Sequence, residues 1–295
     1  MSSARIKNRI AVTALGLLAA AALSAPATAG ARNLSAGGEV SDTGAMTSPI
    51  PFWGQIDCQN SSRQQLVDGG GDWHGTAEGV DQGNDAYREL TVYDGDDIWG
   101  ERCELGENNR RSSPVAMYHE GQRLITYISI RLPGDFPLDA ETWQAVMQMK
   151  QVGPSANSRG TPVLELDAWG DQWRLRQSKS PGYAEDSRQL WTAPAQSDTW
   201  TRFAFDVKYS RKPGKGRIQV YADLNSDGDF DDSGEVSERM KTYTLKREIR
   251  GGYRDGLKAG KSIPSHLRAG IYHDEALDCG GGCSVDIDNV QVVRP

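Results

Sequence analysis

The stretch His266-Leu267-Arg268-Ala269-Gly270-Ile271-Tyr272-His273-Asp274 brings together residue types that could act on a ligand. In an extended strand, side chains alternate between two faces. Leu267, Ala269 and Ile271 would then share an apolar face suited to a core, and His266, Arg268, Gly270 and Tyr272 would share the other. A cation, a bare glycine and a phenol in line would make a floor on which an anionic chain could lie. The competing reading is a half-buried strand with an ordinary polar face, and alternation alone does not separate the two. Two further segments have the same form. Arg102 and Glu104 stand two apart in ERCEL, and Gln148 and Lys150 stand two apart in QMK, so each pair shares a face if its segment is a strand.

The elements that must position these groups are β almost throughout. Leu124, Thr126, Ile128, Ile130 and Leu132 alternate with other side chains before PGDFP closes the run. Val163 to Asp167 and Gln172 to Arg176 flank Trp169-Gly170-Asp171, which predicts a hairpin. Phe203, Phe205, Val207 and Tyr209 alternate, as do Ile218, Val220 and Ala222, with a turn at Lys212-Pro213-Gly214 between them. Val285, Ile287, Val290 and Val292 mark a last strand. No apolar stripe holds helical spacing over three turns, although Asp139 to Gln148 could open as a short helical turn. Many strands with turn signals between them indicate a sandwich or jelly roll. One composition regime and no internal repeat point to a single domain over residues 51–295.

The N-terminus reads as an export signal. Arg5, Lys7 and Arg9 precede the apolar run Ile10 to Leu23, and Ala27-Thr28-Ala29 supplies a cleavage site, so residues 1–29 are expected to be removed and the protein secreted. The apolar run is short for a membrane span, and no later stretch is apolar enough to be one. Residues 30–50, rich in Gly, Ser, Ala and Thr, read as a flexible leader. Removing the signal lowers Lys plus Arg from 33 to 30 against 40 Asp plus Glu, a net charge of −10. That argues against nucleic acid as a partner. A polyanionic ligand then requires that the cations be gathered in one cleft. Eight Trp and ten Tyr suit carbohydrate stacking and equally suit a large β core. Four Cys in an exported chain suggest two disulfides. Cys279 and Cys283 enclose three glycines and can close locally, and Cys58 would then pair with Cys103. A monomer is expected.

The three chemical segments resemble, in the same order, the motifs of the jelly-roll polysaccharide lyases. In alginate lyases of this kind the motifs run R-[ST]-E-[LV], Q-[IV]-H and Y-F-K-A-G-x-Y-x-Q. Here they stand as Arg102-Cys103-Glu104-Leu105, Gln148-Met149-Lys150 and His266 to Asp274. EGQRLITYISIRLPGDFP and MQMKQ are closer to the heparin lyase I-like and glucuronan-lyase-like branch. The resemblance implies an all-β fold, a single concanavalin A-like jelly-roll sandwich of two antiparallel sheets with a concave substrate face. It also implies β-elimination on a uronate-containing polysaccharide. In that chemistry the uronate carboxylate is neutralised, a base takes the C5 proton, and an acid protonates the departing oxygen. By the resemblance, Arg102 and Gln148 would neutralise the carboxylate, Arg268 and Glu104 would serve substrate binding, and Tyr272 would be the catalytic phenol. Its pKa would have to be lowered by Arg268 and Lys150 for it to act as a base. Lys150 stands where the alginate lyases carry a histidine. It could neutralise charge or act as base if desolvated, and His74 in DWHG could fold into the cleft in the histidine's place. A noncatalytic carbohydrate-binding protein is the alternative function. A sandwich glycoside hydrolase would need two carboxylates across the bond, and no E-x-D-x-E segment stands out.

One motif lies apart. Asp223, Asn225, Asp227 and Asp229, with Gly228 at the sixth place and Glu235 at the thirteenth, resemble the start of an EF-hand loop. Structural Ca2+ is the expectation there, and a solvated acidic hairpin the alternative. The elimination itself calls for no metal.

Overall fold

The computed structural model describes residues 40–41, 53–72, 86–107, 117–152, 160–248 and 259–295. The signal at 1–29, most of the leader and His74 lie outside the described residues.

Two antiparallel sheets face each other. The front sheet runs β10-β9-β8-β7-β16-β5-β2. Its strands are β2 (Trp53–Asp57), β5 (Arg102–Glu107), β7 (Gln144–Gln151), β8 (Leu164–Ala168), β9 (Gln172–Ser178), β10 (Ser187–Pro194) and β16 (Ser265–His273). The back sheet runs β13-β12-β11-β6-β17-β4-β3. It is built from β3 (Gln64–Asp68), β4 (Ala86–Val92), β6 (Arg123–Arg131), β11 (Trp200–Lys208), β12 (Gly216–Asp223), β13 (Met240–Thr242) and β17 (Cys283–Val293). The pair β1 (Val40–Ser41), inside the stretch read as a leader, aligns with Val292 and Val293 of β17. A two-stranded ribbon, β14 (Lys246–Arg247) and β15 (Ser262–Ile263), completes the set. Among the described residues the one helical turn is Ser61–Arg63, and no helix is long and apolar enough to cross a membrane. This is the expected jelly-roll sandwich.

Period-two patterning explains which face each sheet turns inward. Leu105, Met147, Met149, Leu164, Leu166, Trp173, Leu175, Leu267, Ala269 and Ile271 of the front sheet are buried against Leu124, Ile128, Ile130, Phe203, Phe205, Val207, Val285 and Ile287 of the back sheet. The alternation of β17 skips from Ile287 to Val290 because a bulge lies between Asp288 and Gln291, with Asn289 at φ 48°. The short helical turn expected from Asp139 does not form. Turns precede Gln144, which is already extended, because Gln144, Ala145 and their successors find partners on both β8 and β16.

Gly270 has a different use from the one its outer position suggests. At φ +144° it lies so near β5 that an added Cβ would sit 2.2 Å from the Cys103 carbonyl oxygen and 2.7 Å from Glu104 Cα. The missing side chain lets two strands close on each other, and does not make room for a ligand. Gly270→Ala is therefore expected to lose roughly 3 kcal/mol of stability. A urea titration in which the midpoint falls at unchanged slope would show it.

Both disulfides pair as expected, Cys58 with Cys103 and Cys279 with Cys283. Closing a 45-residue separation is worth about 4 kcal/mol on a chain-entropy account. It also fastens β5 at Cys103, whose inward side chain separates the outward Arg102 and Glu104.

Candidate active site

Strand register brings the three segments side by side on the outer face of the front sheet. Arg102, Gly270 and Glu104 are neighbours because Tyr272 pairs with Arg102 and Gly270 with Glu104. Gln148 lies opposite Arg268, and Lys150 opposite His266. Followed across the strands, the same register makes two transverse levels. One runs Arg102, Tyr272, Ala145, Asp167, Arg174, and the other Gly106, Arg268, Gln148, Glu165, Arg176.

Glu104 is the hub. It is buried, and it accepts from Arg102 Nη1 at 3.1 Å and from Gln148 Nε2 at 2.9 Å. Arg268 Nε lies 3.4 Å from the same carboxylate, and Arg268 Nη2 pairs with Asp57. Burying two guanidiniums is tolerable because each has a carboxylate partner; removing the hub would leave Arg102 without one and Arg268 with Asp57 alone. The two neutralising groups thus spend part of their capacity on Glu104. Arg102 Nε and Gln148 Oε1 are buried without a hydrogen-bond partner among the described residues, and Arg102 Nη1, Arg102 Nη2 and Gln148 Nε2 each keep a second N–H beyond these bonds.

The phenol of Tyr272 is held from three sides. The Arg102 guanidinium lies over its ring at 3.6 Å, Trp143 meets it edge-on at 4.7 Å, and Gly100 is so close that a Cβ there would come 2.9 Å from the ring. Arg102 Nη2 also donates to the Trp99 carbonyl at 2.5 Å. Trp99 sits at φ 64°, a strained setting for a bulky residue, with its side chain 84 % exposed. An indole standing in solvent beside a held phenol is a place where a sugar face could stack.

The electrostatics correct one expectation. Arg268 and Lys150 do not bring the phenol's pKa down: burial raises it, and Arg102 only partly opposes that. The favoured state of Tyr272 is the protonated one, a proton donor. Lys150 moves the opposite way, lowered to about 8 by burial, with further lowering from Arg102 and Arg268 against the pull of Glu165 and Glu104. Its Nζ donates to the Gly160 carbonyl at 3.0 Å.

Several members escaped sequence reading. Glu165 and Asp167 alternate with Leu164 and Leu166 on β8, and Arg174 and Arg176 flank Leu175 on β9; their spacing marks one face, a signal that the hairpin pattern of these segments does not use. Arg176 pairs with both acids, at 2.6 Å to Glu165 and also with Asp167. Burial and the charge of Glu165 hold Asp167 well above the usual carboxylate range. Asp57, the partner of Arg268, carried no signal, being far away in sequence. His273 is fully buried, its Nδ1 2.9 Å from the Asp274 carbonyl oxygen.

The acidic loop belongs to the other side of the molecule. Phe230 of the loop packs with Ile125, Tyr127, Ala204 and Tyr221 in a cluster separate from the main core. Asp223 accepts from the N–H groups of Asp227 and Gly228, Glu235 from those of Leu224 and Asp232, and Asp227 from that of Asp229. Asn225 donates to Asp227 and Asp232, and Asp229 accepts from Asp231 N. Arg202 donates to the Gly228 carbonyl at 2.8 Å and lies 3.8 Å from Asp223. Among the described residues no three acidic, His or Cys side chains gather as they would around a metal ion. As folded, the donor set closes on its own backbone and on a guanidinium, and no step below draws on calcium.

The fold has likenesses among solved structures. The chain resembles in fold an endo-β-1,4-glucuronan lyase from the fungus Trichoderma reesei, at 14 % identity and TM-score 0.56, over 83 % of this chain and 92 % of that one. It is also similar to a family 7 alginate lyase, at 11 % identity and TM-score 0.49, over 70 % and 78 %. A PL-14 alginate lyase from Aplysia kurodai aligns at 8 % identity and TM-score 0.48, over 72 % and 84 %. No curated protein sequence matches. The family described as polysaccharide lyase matches residues 67–290, most of the chain and all three chemical segments. The chain is therefore a member of the polysaccharide lyase family, whose members act on polysaccharides.

Proposed function

We propose that this lyase is exported and cleaves a uronate-containing polysaccharide by β-elimination at the outer face of the front sheet. The observation that carries the reading is the Tyr272 phenol stacked against Arg102 and linked through Glu104 to Gln148 and Arg268. A sugar carboxylate against the Arg102 guanidinium would have its charge offset, which acidifies the adjacent C5 proton. Lys150, desolvated and depressed to about 8, is the group suited to accept that proton. Tyr272, raised by its burial, is suited to donate one to the departing glycosidic oxygen. Two groups whose surroundings push their pKa values apart divide the roles of base and acid. The electron pair of the broken C5–H bond forms the C4–C5 double bond as the C4–O bond breaks.

Lys150 starts level with His266, six positions along β16 from Tyr272, about 20 Å of extended strand, so it serves as base only if its stem leans along β7 toward the phenol; an unchanged kcat in Lys150→Ala would return both proton transfers to Tyr272. The test is incubation of the mature protein with glucuronan, alginate, heparin and hyaluronan, following ultraviolet absorbance of the unsaturated uronate. Absorbance growing on at least one polymer is expected. New reducing ends without absorbance would overturn elimination.

A further inference from the structure

The outer face of the front sheet carries more positive groups than the scissile sugar can use. Arg102, Arg268 and Arg176 each have carboxylate partners in Glu104, Asp57, Glu165 and Asp167. Among the described residues Lys150 and Arg174 have none. Arg174 is the less expected of the two, because Asp167 lies directly opposite it in the register. That carboxylate is turned to Arg176 instead. The Arg174 guanidinium lies over the Trp169 ring at 4.8 Å, with its Nε buried and without a hydrogen-bond partner. A cation held on an indole face is oriented without spending its N–H groups.

The backbone that carries the indole is held in a tight turn, since Trp169 N donates to Gln172 O and Gly170 and Asp171 both turn at φ 55°. Arg174 and Tyr272 share one transverse level, three strand steps apart. At about 4.8 Å a step that is roughly 14 Å, beyond the reach of a single sugar. Between them the level holds Ala145, whose small side chain keeps that part of the floor low, and Asp167, whose carboxylate is paired with Arg176.

We propose that Arg174, braced by Trp169, binds the acid group of a second acidic sugar on the same polymer. The inference rests on the uronate reading above and adds to it. The substrate chain crosses the strands from Tyr272 to β9 and carries anionic groups on sugars remote from the bond that is cut. The chemistry recognised is a carboxylate or sulfate facing a planar fork of N–H donors.

Oligoglucuronates of three and six sugars, followed by ultraviolet absorbance, test it. Arg174→Ala is expected to raise KM for the hexasaccharide about tenfold, leaving its kcat and both constants for the trisaccharide nearly unchanged. Arg174→Gln, which keeps the stem and loses the charge, should do the same, and Arg174→Lys should recover part of the loss. An equal change at both lengths, or none on the hexasaccharide, overturns the proposal. If wild type turned over no uronate polymer, the cleavage reading would fail by itself. Affinity electrophoresis through gels holding polyglucuronate or a sulfated, uronate-free glycan then reads Arg174 separately. Retardation by either polymer that is lost in Arg174→Gln supports the subsite and tells carboxylate from sulfate; unchanged retardation overturns it.

Discussion

Tyr272→Phe will lower kcat by about a thousandfold and leave KM within a few fold of wild type. The ring keeps its edge contact with Trp143 and its place beneath Arg102, so the substitution removes a proton carrier and little packing. Loss of a positioned general acid ordinarily costs two to four powers of ten, roughly. The direction of the phenol's pKa shift makes the prediction specific. Because burial raises it, the wild-type enzyme should hold activity into strongly alkaline solution, where an exposed phenol would already be ionising. Steady-state kinetics of both proteins across pH checks this; normal turnover by Tyr272→Phe would remove the residue from the mechanism.

Lys150→Ala should show the second large effect, a fall in kcat on the order of a hundredfold or more and a changed pH profile. The sign follows from the environment. Burial and the charges of Arg102 and Arg268 lower the lysine, Glu165 and Glu104 raise it, and the outcome is about 8. Lys246 of β14, itself lowered to about 7 by burial and by the charge of Lys150, and His266 opposite on β16 complete the groups around it. A base must be neutral to accept a proton, so activity should rise with pH through about 8 in the wild type, and this acidic limb should vanish in the variant. The same shift acts on stability. The folded state resists protonating Lys150, so a destabilising contribution is fully present below about 8. It declines as pH rises toward the unfolded value of 10.5. Lys150→Arg separates proton transfer from simple charge, because arginine keeps the charge and cannot give up its proton. Retained rate in Lys150→Arg would mean that Lys150 neutralises the carboxylate and that Tyr272 serves in both roles.

Local patterning made the sandwich legible, because each strand's apolar residues recur at the period that a half-buried strand must have. The hairpin at Trp169 and the strand holding His266 to Asp274 could be drawn from residue types alone. The helical turn at Asp139 failed because local preference there yields to pairing of β7 with strands on both sides. In the site, Arg102, Glu104, Gln148, Arg268 and Tyr272 were visible as outward pairs, and register then joined them. What sequence could not give was the sign of Tyr272's pKa shift, since that depends on how much water the fold removes. Nor could it give the partnership of Arg268 with Asp57, which lie 211 positions apart. That Arg174 has no carboxylate partner among the described residues was equally hidden, because it depends on which way Asp167 turns.

The central claim is that a sugar carboxylate, not merely a sugar, is what this face acts on. Glucuronan and the same polymer with its carboxyl groups reduced to alcohols should be offered to the wild-type enzyme side by side, with ultraviolet absorbance and reducing ends both measured. Absorbance and reducing ends should rise together on the native polymer and stay flat on the reduced one. Cleavage of the reduced polymer, with new ends and no double bond, would contradict the account.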